Sequence, residues 1–251
     1  MDFGKVLMEA TSSETLFEIP FPGHPIPVSD TVVVTWIIMV ILIVSAFLLT
    51  RKMKTIPEGK QNFVETVVEF LNSMAKNSLG HHWKKFAPYL GTIFIFLIIS
   101  NTVSIFNIIP TSEDLYKITG LEFFEHMPKF SIRPPTRDIN VTACLAIMSM
   151  VFVAYAGIKV KRTSGWLKSF AEPSPILVPF KVLDYFTRPV SMCFRLFGNL
   201  LGSVIVMELL YMTIPAILPG LVSIYFDIFD GVLQAYVFVF LTSLYTAESI
   251  E

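Results

Sequence analysis

The first thirty residues are polar, mildly acidic and rich in proline, and then the pattern changes abruptly. Residues 31–50, "TVVVTWIIMVILIVSAFLLT", carry no charged side chain and stop at "RKMK". Twenty residues at ~1.5 Å each cover the ~30 Å hydrocarbon core of a bilayer, so this run reads as a membrane span. Residues 60–79 alternate differently. Phe63, Val67, Phe70, Leu71 and Met74 share one helical face, while Glu65, Glu69, Asn72, Ser73 and Lys76 fall elsewhere. That pattern predicts an amphipathic helix along the membrane surface or against a partner. Apolar runs at 86–109 and 139–158 predict two more spans, separated by the aqueous loop "PTSEDLYKITGLEFFEHMPKFSIRPPTRD". Beyond "KVKRTSGWLK" and the breaker "AEPSPILVP", residues 180–217 are helix-compatible and long, with Pro189 and Pro215 as points of bending. "LPG" then makes a turn, and 221–246 forms the last hydrophobic segment.

These segments predict an all-α integral membrane protein, a single membrane domain over 1–251. It has about five hydrophobic helices and one amphipathic interfacial helix. Composition agrees: 53% of the 251 residues are hydrophobic and 16% are charged, against about 25% charged in soluble domains. A net charge of −1 argues against a nucleic-acid partner. Cys144 and Cys193 fall in separate apolar segments with no zinc spacing, which makes them ordinary membrane-buried thiols. The N-terminus lacks the basic start and short apolar core of a signal peptide. Lysines and arginines number seven in 51–85 and four in 159–172, against Lys5, Lys117, Lys129, Arg133 and Arg137 on the other side. The positive-inside rule then places the N-terminus outside and, after five crossings, the C-terminus in the cytoplasm.

Candidate chemistry is confined to ionisable residues inside apolar sequence. Arg195, within "MCFRLFGNLLGS", has no acidic neighbour for several positions and cannot shed its charge near neutral pH. At mid-bilayer it costs ~2.5–3.5 kcal/mol or more, so a partner must offset it. At ~100° per residue, Arg188, Asp184 and Lys181 lie within about 40° of Arg195, and Ser191, Gly198, Asn199, Gly202 and Ser203 occupy the same broad side. Small residues there admit a close neighbour. In the last segment Asp227, Asp230 and Gln234 are spaced i, i+3, i+7, a single polar stripe. Glu208 points about 140° away from Arg195, toward that last helix. Bland alternatives stand beside each: an ion-pair partner for Arg195, interfacial solvation for Asp227, Asp230 and Glu208, and an interhelical hydrogen bond for Gln234. His81 and His82 read as a solvated interfacial pair, and His24 and His126 as loop residues. No HExxH, GxSxG or phosphate-binding glycine loop occurs, and no metal or cofactor is expected. Ion movement fits better than catalysis. A secondary transporter or channel with an arginine-lined site is the rival, but its usual inverted repeats are not evident.

"RPVSMCFRLFGNLLGS" (188–203) and "GVLQAYVFVFLTSLYTA" (231–247) together resemble the a subunit of bacterial F-type ATP synthases. The Arg-Leu-Phe-Gly-Asn core in a late helix is highly specific to that family, and the resemblance extends over nearly the whole chain. It implies a non-catalytic stator in the bacterial plasma membrane, beside a rotating ring of c subunits, with b subunits of the peripheral stalk and membrane lipid as further partners. The last two helices are then long, tilted and curved along the ring. Two offset half-channels carry H+ or Na+ to and from the ring carboxylates. By this resemblance Arg195 separates the half-channels and meets each carboxylate in turn, and Asn199 and Gln234 are its polar neighbours. Asp184 takes the place of an acid near the cytoplasmic path. Ser191, Gly198, Gly202 and Ser203 are the expected ring contacts. Two positions depart from the family pattern. Val204 stands where many members carry Glu or His, with Glu208 one turn further on, and Asp227 stands where some have His or Glu.

Overall fold

The computed structural model describes residues 15–19, 26–51, 53–103, 134–171, 178–213 and 225–250, with positions 176 and 222. The loop expected at 110–138 falls largely outside these residues, as do Pro215, His24 and His126.

The first described element is an antiparallel ribbon, β1 (Thr15–Ile19) paired with β2 (Ile26–Ser29). No strand was expected here from the sequence pattern. Yet both are rich in β-branched and aromatic residues, and Pro27 is tolerated because a two-stranded ribbon has only edges. Helix α1 (Asp30–Thr50) follows directly. Only Thr31 and Ile38 of it are buried, so the rest of its apolar surface faces outward, as lipid contact requires.

Helix α2 (Lys60–Leu79) ends at Gly80, whose φ of 52° is readily available only to glycine and whose N–H bonds the Lys76 carbonyl. After the short turn Gly80–His82 the chain reverses into α3 (Trp83–Thr102). The two form a hairpin: Leu71 meets Gly91, and the rings of Phe70 and Phe94 stand 6.3 Å apart. Leu71, Met74, Ala75 and Leu79 bury the apolar face of α2 against its own chain, whereas Phe63 and Phe70 remain exposed.

Helix α4 (Ile139–Ala171) starts at Asp138, whose Oδ1 accepts the Asn140 N–H at 2.9 Å. The other oxygen, Oδ2, accepts the Thr31 hydroxyl at 3.0 Å and so ties α1 to this end of the bundle. Aromatic contacts join α3 to α4: Tyr89 stacks on Phe152 at 3.6 Å, and Phe86 meets the same ring edge-on. The regular helix breaks at Arg162, with φ 62° and ψ 163°, a conformation that side-chain-bearing residues rarely adopt. Beyond the break the segment leans back. Trp166 approaches Gly157 and meets Tyr185 edge-on, and Lys181 Nζ donates to the Ser169 carbonyl at 2.6 Å.

Helix α5 (Val178–Thr213) packs mainly on α4. A π-helical turn at Tyr225–Asp230 leads into α6 (Gly231–Ile250). This corrects the expectation of a regular helix from 221. A π turn holds more residues than an α turn, so i, i+3 spacing within Tyr225–Asp230 does not define a single face as it does in an α-helix. α6 is the centre of the bundle, touching α2, α3 and α4, and only lightly α5. Its buried residues Gly231, Gln234, Ala235, Phe238, Val239, Thr242, Ser243 and Thr246 follow i, i+3, i+4, i+7 spacing. Four stretches among the described residues are long and apolar enough to cross a membrane: 30–50, a stretch within 60–102, 139–166 and 228–250. The chain is an all-α multi-pass membrane protein with a short β ribbon at its start.

Candidate functional site

The site is built where α5 passes the beginning of α6. Phase along α5 decides what each residue meets. Met192 and Leu196 point inward and are almost completely buried, at 2% and 0% exposure. One residue away, Arg195 is exposed, with Ser191 and Gly198 exposed on the same stripe. Gly198 has open space where a side chain would project, as does Gly202. Among the described residues Arg195 makes no ion pair. The guanidinium is therefore offered outward, on a strip of small residues that a neighbouring helix can approach closely.

Around the helix from Arg195, Asn199 and Ser203 turn toward the bundle. With Asn101, Leu196, Leu200, Asp230, Gly231 and Gln234 they line a cavity of about 20 Å³. That is room for roughly one water molecule, for which about 10–15 Å³ suffices. Gln234 is buried, and among the described residues its Nε2 has no hydrogen-bond partner. A buried amide donor without a partner is costly, which makes this cavity a natural place for a water molecule.

Asn101 fixes the geometry. It is 5% exposed; its Nδ2 donates to the Gly231 carbonyl at 3.0 Å, and its Oδ1 accepts the Thr136 hydroxyl at 2.8 Å. Gly231 suits the contact, because a Cβ there would sit 3.0 Å from the Asn101 Cβ. Three segments, α3, the turn Pro135–Arg137 and the start of α6, are thereby locked together beside Gln234 and Asp230.

The structure thus brings Asn199, Ser203, Asp230 and Gln234 around one cavity, with Arg195 just outside it on the exposed face. Asp184 is not part of this group. It is exposed eleven residues before Arg195, about 16 Å along the axis. Glu208 belongs to α5 and Asp227 to the π turn, but their side chains lie outside the described residues. Asn101 and Thr136 were not singled out from sequence. The one signal for Asn101 is an amide, flanked by small hydroxyl residues, in the largely apolar run "IFLIISNTVSIF". Among the described residues no cluster of three metal-ligating side chains occurs, and both cysteines are free, Cys193 partly covered by the bundle and Cys144 on its outer surface within the apolar stretch 139–166.

Comparison with known proteins gives this geometry a family. The family described as ATP synthase A chain matches residues 32–247. The chain is also 33% identical, over 252 aligned residues, to "ATP synthase subunit a, sodium ion specific" of Propionigenium modestum. That alignment covers 98% of this chain and 84% of the relative. On both matches the chain belongs to the ATP synthase subunit a family.

Proposed function

We propose that this ion-translocating subunit of the ATP synthase membrane sector is the stator half of a rotary ion path, with Arg195 as its charge barrier. The observation that carries the reading is the exposure of Arg195, without an ion-pair partner among the described residues, beside the cavity lined by Asn199, Ser203, Asp230 and Gln234. A carboxylate on a neighbouring ring subunit, arriving protonated or metal-bound, has its pKa lowered by a guanidinium within ~4–6 Å. It releases its ion, pairs briefly with Arg195, and moves on. The fixed cation also bars a free ion from crossing directly between the two half-channels. Rotation then becomes the permitted route.

In this reading the outer half-channel uses Glu208, Asp227 and Asp230 and reaches Arg195 through Asn199 and Gln234, while Asp184 stands nearer the cytoplasmic opening. The N-terminus faces outside and the C-terminus the cytoplasm. ATP chemistry belongs to other subunits, and the coupling ion is selected by the ring carboxylate. The partners are the c ring, which meets Ser191, Gly198, Gly202 and Ser203, and the b subunits of the peripheral stalk.

Cysteine cross-linking in the assembled enzyme tests this. Single cysteines at Ser191 or Gly198 should form disulfides with cysteines placed beside the ring carboxylate. A cysteine at Val40, exposed on α1, should not. Cross-linking from Val40 and none from Ser191 or Gly198 would place the ring on the wrong face and end the proposal.

A further inference from the structure

The end of α5 away from the cavity holds a second guanidinium on the same stripe. Arg188 precedes Arg195 by seven residues, so the two side chains leave the helix within about 20° of each other and about 10 Å apart along its axis. Their surroundings differ sharply. Arg188 Nη2 donates to Glu248 Oε1 at 2.9 Å and stands 2.8 Å from Oε2 in an ion pair. Its guanidinium also stands 4.5 Å over the ring of Tyr245. A carboxylate and a π face, both supplied by α6, therefore occupy the cation. Arg195, two turns on, is exposed and among the described residues has no such partner.

A purely structural role explains this arrangement poorly. The Glu248 side chain is 62% exposed and that of Arg188 17%, so the pair sits at the rim of the bundle, where contact with solvent on the carboxylate side weakens its contribution to stability. Helix α5 is already held along its length by α4. Occupancy is a different matter. A carboxylate tethered beside Arg188 is present at high effective concentration, so any visiting anion must displace it.

We propose that Glu248 masks Arg188, so that an anion moving along the exposed stripe of α5 finds Arg195 as its one open guanidinium. The inference rests on the stator reading and makes Glu248 a specificity-determining residue for the ring carboxylate. Without its charge the carboxylate is offered two cationic stations about 10 Å apart. The first would hold it before release is complete or retain it after passage. Tyr245 cannot substitute, because it attracts the cation without neutralising it.

The test compares Glu248→Gln, Arg188→Gln, the double variant Arg188→Gln/Glu248→Gln, and Arg195→Ala. Each is assembled as the complete enzyme in liposomes and assayed for ATP-driven ion uptake with pH- and Na+-sensitive dyes. Glu248→Gln should slow uptake about tenfold, the effect of one additional charged hydrogen bond on a rate. The double variant should recover most of it, because the exposed competitor is gone. Equal slowing in Glu248→Gln, Arg188→Gln and the double variant would mean a structural tie and overturn the proposal. So would a normal rate in Glu248→Gln, or its failure to assemble. Arg195→Ala separates the two levels. If it is inactive while Glu248→Gln is normal, only the masking role falls; if it pumps normally, the stator reading falls and masking with it.

Discussion

Replacing Asn101 by leucine keeps the branched shape of the side chain, at greater volume, but removes its hydrogen bonds to Gly231 and Thr136. The Gly231 carbonyl loses a donor at 3.0 Å, and the fully buried Thr136 hydroxyl loses an acceptor at 2.8 Å. Leaving one buried polar group unpaired costs ~1–3 kcal/mol. Two such groups, partly offset by the added apolar contacts of leucine, give a net loss of ~2–4 kcal/mol. Removing the stranded hydroxyl as well should recover part of this, since replacing both members of a hydrogen bond by apolar groups is nearly neutral. Asn101→Leu/Thr136→Val should therefore be more stable than Asn101→Leu by ~1 kcal/mol. Equilibrium unfolding of the purified subunit in detergent, followed by circular dichroism, measures both differences. The start of α6 would also shift, carrying Asp230 and Gln234 out of register with Asn199 and slowing ion uptake in the assembled enzyme. A loss below ~0.5 kcal/mol, the level of an ordinary surface substitution, would refute the view that Asn101 locks the site.

Three further outcomes are expected. Asp227→Asn and Asp230→Asn should each slow ATP-driven pumping while leaving assembly intact; unaffected pumping in both would remove the last helix from the outer half-channel. Gly157→Ala should destabilise the subunit by ~1–3 kcal/mol, because the new methyl would meet the Trp166 Cδ1 at 2.6 Å and the Ser249 hydroxyl; unchanged unfolding in detergent would show that this contact yields freely. Impermeant thiol reagents should label single cysteines at Lys117 and Lys161 from opposite sides of the membrane, and labelling of both from one side would overturn this topology.

Much of the architecture was legible because lipid imposes a simple code. A run such as 31–50 is apolar on every side, and the structure leaves nearly all of it facing outward. Arg195 was equally legible, since a lone charge in an apolar segment demands a partner that its own neighbourhood lacks. The small residues around it carried the further information that the partner comes close. What periodicity could not give was apposition between distant segments. Asn101 matters because it meets Gly231, 130 residues away, and Arg188 is occupied by Glu248, 60 residues away. Neither contact leaves a trace in local spacing. Helix phase was the second limit. The polar stripe of Asp227, Asp230 and Gln234 assumed a regular α-helix, and the π turn at Tyr225–Asp230 changes the angle between its first two members. The break at Arg162 was hidden for a related reason, since a positive φ is normally announced by glycine and here falls on arginine.

The most direct test of Arg195 as the charge barrier is made on assembled Arg195→Ala enzyme reconstituted into liposomes, with passive ion flux and ATP-driven uptake measured in the same preparation. Loss of the guanidinium should abolish coupled uptake, because the ring carboxylate no longer has a fixed cation to release its ion against. The barrier between the half-channels should fail with it, so that passive flux through the membrane sector rises. Arg195→Lys should be severely impaired as well, since an ammonium is a compact point charge that can lose its proton when buried. Normal coupled pumping by an assembled Arg195→Ala enzyme would contradict the stator role assigned to this residue.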